Sequence, residues 1–171
     1  MTPLSSLIHR VNNFNRPLDI LCVDTHERYE TSLAKTGHNF YTLPSSVFEK
    51  AGYNVVKWKE YQTPFPKNRI RLQENIPLHM DFDLVLTQNK FGQYQVLSKI
   101  AHSYNIPLVI DSTFATPYNL NLNSYADIYV ESLTKFACGN ADVLMGAIIL
   151  NKNSKISHMS QEFFKHCDEP Y

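Results

Sequence analysis

Short apolar runs alternate with segments of helical periodicity along most of the chain. Apolar runs of four to eight residues bounded by turn formers are typical of strands, and the last three runs here are expected to be buried. The predicted strands are LDILCVD (18–24), NVVKW (54–58), DFDLVLTQ (81–88), PLVID (107–111), ADIYVES (126–132) and DVLMGAIIL (142–150).

Helical patterns lie between these runs. We predict a short helix within 25–40, with Thr25 as its N-cap and Gly37 at its end, and a second within 44–52, with Gly52 behind it. Residues 63–80 contain three prolines and predict a long loop. Two longer amphipathic helices are predicted over 91–105, with Phe91, Tyr94, Leu97, Ala101 and Tyr104 on one stripe, and over 154–167.

The order of strand 81–88, helix 91–105 and strand 107–111 indicates a βαβ crossover. Such a crossover joins parallel strands, with a right-handed connection. We therefore predict an α/β fold, with three layers and a mostly parallel, doubly wound sheet, in a single domain over residues 1–171.

Composition narrows the classes of function. The chain has 171 residues, 43% of them hydrophobic and 19% charged, which is typical of a globular protein. Its 16 basic and 16 acidic residues cancel, so we expect neither nucleic acid nor an anionic membrane as a partner. The cluster of Lys67, Arg69 and Arg71 is interpreted as a solvated loop or edge strand, with a phosphate-binding patch as the alternative. The sequence contains no run of about 18 apolar residues, so no membrane span is predicted.

Cysteine, histidine and glycine spacings exclude several common sites. The three cysteines lie far apart and are odd in number, which favours free thiols in a reducing cytoplasm. The histidines form no HExxH pair, and the five glycines form neither GxGxxG nor a Walker loop. We therefore expect no zinc site and no standard nucleotide site.

Polar side chains with usable chemistry follow two of the predicted strands. Asp111 ends one strand, while Ser132, Thr134 and Lys135 end or follow the next, 24 positions later for the lysine. Strand ends of an α/β sheet face one crevice, so these side chains are expected to meet there. A lysine can condense with an aldehyde, hydroxyls can hold a phosphate, and a carboxylate can keep a pyridine nitrogen protonated. Those are the demands of pyridoxal 5'-phosphate (PLP).

The segments DSTFATPY (111–118) and ESLTKFACGNADVLMGA (131–147) resemble the cofactor segment of the Cys/Met-metabolism PLP-dependent enzymes, the cystathionine γ-synthase-like group of fold-type I. The resemblance covers residues 98–171 and implies a fragment of that fold's large domain. It implies that Lys135 forms the Schiff base, that Asp111 contacts the pyridine nitrogen, and that Ser132 and Thr134 bind the phosphate. Thr113 and Asn140 are further candidates beside the cofactor.

The same resemblance implies a transsulfuration-type lyase or transferase that acts on a sulfur-containing amino acid. It also implies a homo-oligomer, because these enzymes borrow residues from a second subunit. No segment before Asp111 matches the Gly-Met turn or the stacking aromatic residue of the family, and its C-terminal domain with a substrate-binding arginine is absent from the sequence. We therefore expect an incomplete site. A non-catalytic α/β domain is one alternative.

A second resemblance concerns residues 1–97. The segments ILCVDTHERYETSLAKTGHNFYTL (20–43) and DFDLVLTQNKFGQYQVL (81–97) are similar to the N-terminal, Rossmann-like domain of bacterial GT-B glycosyltransferases. This resemblance implies a second alternative function, that of the N-terminal domain of such a glycosyltransferase. The two resemblances imply a composite seam near residues 89–97. Within this part, the polar residues expected at a strand-end cleft are His26, Glu27, His38 and Asn39, although a capping or surface position is the favoured interpretation of His26 and Glu27.

Overall fold

The structure is a computed structural model that describes residues 16–24, 27–53, 66–73, 76, 80–88, 92–115, 125–136, 138–140, 142 and 144–157. Within these ranges, seven strands form one sheet and three helices accompany it. The helices are α1 (Glu27–Ala34), α2 (Ser45–Lys50) and α3 (Gln93–Tyr104). The strands are β1 (Asp19–Val23), β2 (Asn39–Leu43), β3 (Arg69–Arg71), β4 (Leu84–Gln88), β5 (Leu108–Asp111), β6 (Ile128–Ser132) and β7 (Gly146–Leu150).

The strands lie in the order β3-β2-β1-β4-β5-β6-β7. In this spatial order, all neighbouring strands from β3 through β6 are parallel. Among the described residues, β7 is the one strand that runs antiparallel to its neighbour. The predicted crossover is confirmed, because β4 and β5 pair in parallel and α3 connects them. Parallel strands have their carboxyl ends at the same edge of the sheet, and the candidate site lies at that edge.

Apolar side chains on both faces of the sheet are covered by helices. On one face, Leu33 of α1 packs against Ile20 and Cys22 of β1. On the opposite face, Phe48 of α2 and Leu97 of α3 belong to the larger core, together with alternate strand residues such as Leu21, Val85, Leu108 and Ile110. Successive strand residues point to opposite faces, so this division follows from the pleat. The predicted α/β fold is confirmed.

Helix α1 is anchored to the sheet by a buried ion pair. Glu30 pairs with Arg69 of β3, and the Arg69 side chain is fully buried. Arg69 also donates from Nη2 to Asp24 Oδ1 at 2.9 Å and to Thr42 Oγ1 at 3.1 Å, and its guanidinium lies 5.6 Å from the centre of the Phe40 ring. The edge-strand interpretation of this basic cluster is confirmed, but a solvated position is wrong for Arg69, because neighbouring carboxylates draw its charge inward.

Two strands were missing from the predicted elements. Strand β2 lies at the end of the segment for which only a helix was predicted, and β3 lies in the predicted long loop. Strand β3 has three residues and exists through its pairing with β2, in which Phe40 lies opposite Arg69. Such pairing joins residues that are distant in sequence, so no local periodicity indicates it.

The prediction that the last apolar run is a buried strand was wrong for β7. This strand is the edge of the sheet, and Ile148 and Ile149 are exposed on it. The predicted stripe of α3 was also wrong at its end, because Tyr104 is 48% exposed while Leu97 and Ala101 are fully buried. An apolar run reports side-chain type and does not reveal whether a neighbouring element covers it.

The ends of the first two helices agree with their predicted glycines. Gly37 and Gly52 have φ angles of 81° and 83°, the left-handed conformation that glycine adopts without steric cost after a helix.

Several predictions lie outside the described residues. They are the N-cap at Thr25, the strand at 54–58 and most of the helix at 154–167. In the described part of the chain, no helix combines the length and the apolar character that a membrane crossing requires.

Candidate active site

The candidate site begins with a row of three residues on neighbouring strands. Asp111, the last residue of β5, lies opposite Gln88 on β4 and opposite Val130 on β6. Strand alternation puts these three residues on the face of the sheet that α1 covers, with Ser132 on the same face farther along β6. Asp111 and Gln88 therefore lie at the carboxyl edge of the sheet, beneath the start of α1.

Direct hydrogen bonds join the two predicted groups of site residues. The backbone N–H of Thr113 donates to Asp111 Oδ1 at 3.1 Å, and the backbone N–H of Ser132 donates to Thr113 Oγ1 at 2.9 Å. Thr113 therefore connects the ends of β5 and β6 by hydrogen bonds. Asp111 and Ser132 were predicted to meet at one edge of the sheet, and they are linked there through Thr113.

A tight turn follows β6 and carries the lysine. The Lys135 N–H donates to the Ser132 carbonyl oxygen at 3.1 Å, and the Gly139 N–H donates to the Lys135 carbonyl oxygen at 3.2 Å. The turn is attached to the start of β7 because the Met145 N–H donates to Thr134 Oγ1 at 3.0 Å. The Lys135 side chain is exposed, so its amine is accessible to a small molecule.

The opposite face of the sheet is fastened at the same edge. The Ser112 hydroxyl donates to Glu131 Oε1 at 2.9 Å, and both side chains are buried. This buried hydrogen bond joins the ends of β5 and β6. Residues on the candidate-site face therefore rest on a rigid support.

Two exposed aromatic rings lie near the lysine turn. Phe114 follows Thr113, Phe136 follows Lys135, and their ring centres are 6.1 Å apart in an edge-to-face arrangement. They are 71% and 61% exposed, and Leu144 is 95% exposed. The loops after β5 and β6 therefore meet beside the site and give it an apolar rim that is open to solvent.

A tyrosine from α1 lies near the predicted acid. The side chain of Tyr29 lines a small cavity with Thr87 and Gln88, and Gln88 lies opposite Asp111 on the neighbouring strand. Burial raises the pKa of Tyr29 well above its usual range, and the charge of Asp111 raises it further. The phenol is therefore neutral near pH 7.

Five of the predicted site residues are connected by hydrogen bonds or by a shared turn, and Asn140 lies apart from them. The structure brings together Asp111, Thr113, Ser132, Thr134 and Lys135 through the contacts described above. Asn140 is exposed in the loop that follows the lysine turn.

The polar residues predicted for a second cleft do not meet. Glu27 begins α1, which follows the carboxyl end of β1. His38 Nδ1 instead accepts from the Leu18 N–H at 3.3 Å, and Asn39 Nδ2 donates to Asp19 at the amino end of β1. His26 lies outside the described residues. The expectation that Glu27, His38 and Asn39 share one strand-end cleft was therefore wrong, because the last two lie at the opposite edge.

Two residues at this edge were missed by sequence reasoning. Gln88 ends β4, next to the strand that ends in Asp111, and a systematic comparison of strand ends would have found it. Tyr29 gives no such signal, because its position depends on how α1 crosses the sheet.

The donors and acceptors present are compatible with PLP. Thr134 accepts the Met145 N–H, and its own proton is weakly engaged, since the Met145 carbonyl oxygen is 3.4 Å away. The Ser132 hydroxyl has no hydrogen-bond partner among the described residues. Both hydroxyls can therefore donate to a phosphate, while Asp111 can accept from a protonated ring nitrogen.

Comparison with known proteins agrees with the resemblance of the C-terminal part. Residues 91–167 match the family model of the Cys/Met metabolism PLP-dependent enzymes. The chain is 43% identical over 76 residues to the L-2-amino-4-chloropent-4-enoate dechlorinase/desaturase of Streptantibioticus cattleyicolor, which is 44% of this chain and 15% of that enzyme. The predicted resemblance to this group of PLP-dependent enzymes is confirmed.

Two further relatives carry names from sulfur amino acid metabolism. Cystathionine gamma-synthase of Saccharomyces cerevisiae is 34% identical over 76 residues, which is 44% of this chain and 12% of that enzyme. L-methionine gamma-lyase of Fusobacterium nucleatum is 45% identical over 65 residues, which is 37% of this chain and 16% of that enzyme. The aligned part thus spans less than one fifth of the length of each of these relatives. The resemblance of residues 1–97 to glycosyltransferases and the composite seam stay predictions.

Proposed function

We propose that this chain carries the cofactor segment of a PLP-dependent lyase or transferase that acts on a sulfur-containing amino acid. The observation that carries the proposal is the continuous set of hydrogen bonds from Asp111 through Thr113 to Ser132, which ends at a turn with an accessible lysine amine. The family match over residues 91–167 supports the same cofactor.

Each residue of this set has one task in the proposal. Bound PLP supplies an electron sink for negative charge that develops on an amino acid. The Asp111 carboxylate keeps the proton on the pyridine nitrogen, and the Ser132 and Thr134 hydroxyls donate to the phosphate. The Lys135 amine would hold the cofactor covalently and would serve as the group that moves a proton at the substrate carbon.

Thr113 acts by position. Its hydroxyl accepts the Ser132 N–H while its own N–H donates to Asp111, so it sets the spacing between the acid and the phosphate ligands. A cofactor held at both ends requires that spacing to be constant, because small displacements of reacting groups lower the rate strongly.

The proposal also includes the oligomeric state and the cellular location of the protein. Phe114, Phe136 and Leu144 leave an apolar rim exposed around Lys135, which supports a homo-oligomer in which a second copy covers the rim. The free thiols of Cys22 and Cys138 support a reducing cytoplasm.

An absorbance titration with PLP tests the proposal. The wild-type chain is expected to develop a visible band that saturates, because PLP in a covalent linkage to a lysine absorbs at a longer wavelength than free PLP. Lys135→Ala is expected to lose that band completely while its thermal unfolding midpoint stays unchanged, since the side chain is exposed.

Lys152→Ala is the matched control, because Lys152 is also an exposed lysine in a turn of the same part of the chain. It is expected to retain the full band. An equal band in the wild type and in Lys135→Ala would refute the assignment of Lys135, and the absence of a saturable band in the wild type would favour a non-catalytic α/β domain.

A further inference from the structure

A buried polar pair lies directly behind the candidate site, and the chemistry proposed above does not use it. The Ser112 side chain is fully buried, and Glu131 is 7% exposed. The Ser112 hydroxyl donates to Glu131 Oε1 at 2.9 Å. Among the described residues, no basic side chain forms an ion pair with Glu131, so this hydrogen bond is the polar contact of its carboxylate within that part of the chain.

The pair flanks residues of the site on both strands. Ser112 lies between Asp111 and Thr113, and Glu131 precedes Ser132. Side chains alternate along a strand, so Glu131 points to the face of the larger core while Ser132 points to the face that α1 covers. The pair therefore lies on the reverse side of the sheet and does not contact a ligand in the crevice.

Side-chain hydrogen bonds continue the pairing of β5 and β6 past the last backbone pair, which contains Asp111. Beyond that pair, the Ser112 hydroxyl donates to Glu131, and the Thr113 hydroxyl accepts the Ser132 N–H at 2.9 Å. Two bonds at successive positions restrict the relative movement of the strand ends more than one bond does.

The chemistry of the pair supports a role in holding position. A carboxylate is costly to bury unless it is hydrogen-bonded, and two apolar side chains would fill the same space without that cost. A buried hydrogen bond differs from apolar packing because it is directional, so it favours one relative placement of the two strand ends.

We propose that Ser112 and Glu131 are positioning residues of the cofactor site. Their buried hydrogen bond keeps Asp111, which ends β5, at a constant distance from Ser132, which ends β6. This inference rests on the proposed function, in which Asp111 holds the pyridine nitrogen and Ser132 the phosphate. Strand ends that move must be fixed when a cofactor binds to both of them, and that requirement lowers the affinity.

The test compares two ligands on the full chain, PLP and its analogue with carbon in place of the pyridine nitrogen. PLP engages both strand ends in the proposed site, whereas the analogue has no ring N–H for Asp111 and engages only β6 and the turn after it. Ser112→Ala removes the hydroxyl and keeps the backbone hydrogen bonds. It is expected to raise the dissociation constant of PLP about three- to tenfold, the effect of one lost buried hydrogen bond. The dissociation constant of the analogue is expected to stay unchanged.

Ser154→Ala is the matched control. The Ser154 hydroxyl also donates to a carboxylate, that of Asp127, which in turn accepts the Leu108 N–H at 2.8 Å. These residues link β5 and β6 at their amino ends, at the edge of the sheet opposite the site. The control is therefore expected to change neither dissociation constant.

Two variants of the acceptor complete the design. Glu131→Gln keeps a side-chain oxygen that can accept from Ser112, and it is expected to retain the affinity of the wild type for PLP. Glu131→Leu removes the acceptor and is expected to reproduce the selective loss. It is also the second variant in case Ser112→Ala does not fold.

The outcomes separate the two proposals. If the wild-type chain does not bind PLP saturably, the proposed function fails, and this inference fails with it. If it binds PLP but Ser112→Ala leaves both dissociation constants unchanged, or raises both equally, the positioning role alone is overturned. A loss that is confined to PLP and absent in Ser154→Ala supports both.

Discussion

Basic side chains have different surroundings in the two regions of the sheet. The N-terminal region contains β1 to β4 over residues 19–88, and the C-terminal region contains β5 to β7 over residues 108–150. In the N-terminal region, Arg69 is fully buried among Asp24, Glu30 and Thr42. In the C-terminal region, Lys135 is exposed at a turn, with exposed aromatic rings beside it.

This difference in burial indicates which basic residue stabilises the fold and which one is available for chemistry. A buried arginine with two carboxylate partners is held in one geometry and cannot reach a ligand, whereas an exposed lysine on a hydrogen-bonded turn can. Both residues are basic side chains near strands of one sheet. Their surroundings distinguish a structural role in the N-terminal region from a proposed functional role in the C-terminal region.

The largest expected effect is on the stability of the N-terminal region. Arg69→Met removes the cation and leaves the buried Glu30 carboxylate without it, which is expected to lower the free energy of unfolding by about 3–5 kcal/mol. Arg71→Met is the control on the same strand; its side chain is 58% exposed, and a loss below about 1 kcal/mol is expected. Denaturant unfolding measures both. Equal losses would contradict the comparison.

Two phenylalanines extend the comparison to apolar residues. Phe48 is fully buried and Phe136 is 61% exposed. Phe48→Ala is expected to cost about 3 kcal/mol, the lower part of the range for a buried ring, because the short helix α2 can relax into the space. Phe136→Ala should cost less than about 1 kcal/mol. A large loss for Phe136→Ala, measured in the same way, would mean that its ring is covered in solution.

Alkaline pH probes the buried thiol of the N-terminal region. Burial raises the pKa of Cys22 from 9.0 to about 12, so the folded protein keeps this thiol protonated after the unfolded chain has lost the proton. The stability linked to Cys22 is therefore fully present below pH 9 and is lost as the pH rises toward 12, by about 1.4 kcal/mol per pH unit.

Cys22→Ala is expected to make the decline of stability with pH less steep by that amount. Chemical denaturation at a series of pH values between 9 and 12 gives the slope. Identical slopes for the variant and the wild type would show that Cys22 is solvated in the folded protein.

The sequence predicted the parts of the fold that local patterns encode. Strand β5, helix α3 and the ending of α1 before Gly37 all follow from periodicity and turn residues, and Asp111 was identified because it ends an apolar run. The meeting of Asp111 with Ser132 was predicted from the rule that parallel strands end at one edge.

The missed features depend on contacts between distant parts of the chain. The antiparallel direction and exposure of β7, the strand β3 and the burial of Arg69 follow from which strands become neighbours. Tyr29 belongs to this group, since only the path of α1 across the sheet brings it to the cavity beside Gln88, the strand neighbour of Asp111. Local patterns do not determine neighbours, so the sequence predicted the site's acid and lysine and not the tyrosine near the acid.

The most direct test of the assignment of Lys135 is to treat the wild-type chain with PLP and borohydride and to map the modified peptide by mass spectrometry. Borohydride makes the linkage between cofactor and lysine permanent, so the label reports which amine was attached. We expect the label on the peptide that contains Lys135, at one cofactor per chain, and on no other lysine in significant yield. A label distributed over other exposed lysines such as Lys99, Lys152 and Lys155 would contradict the assignment.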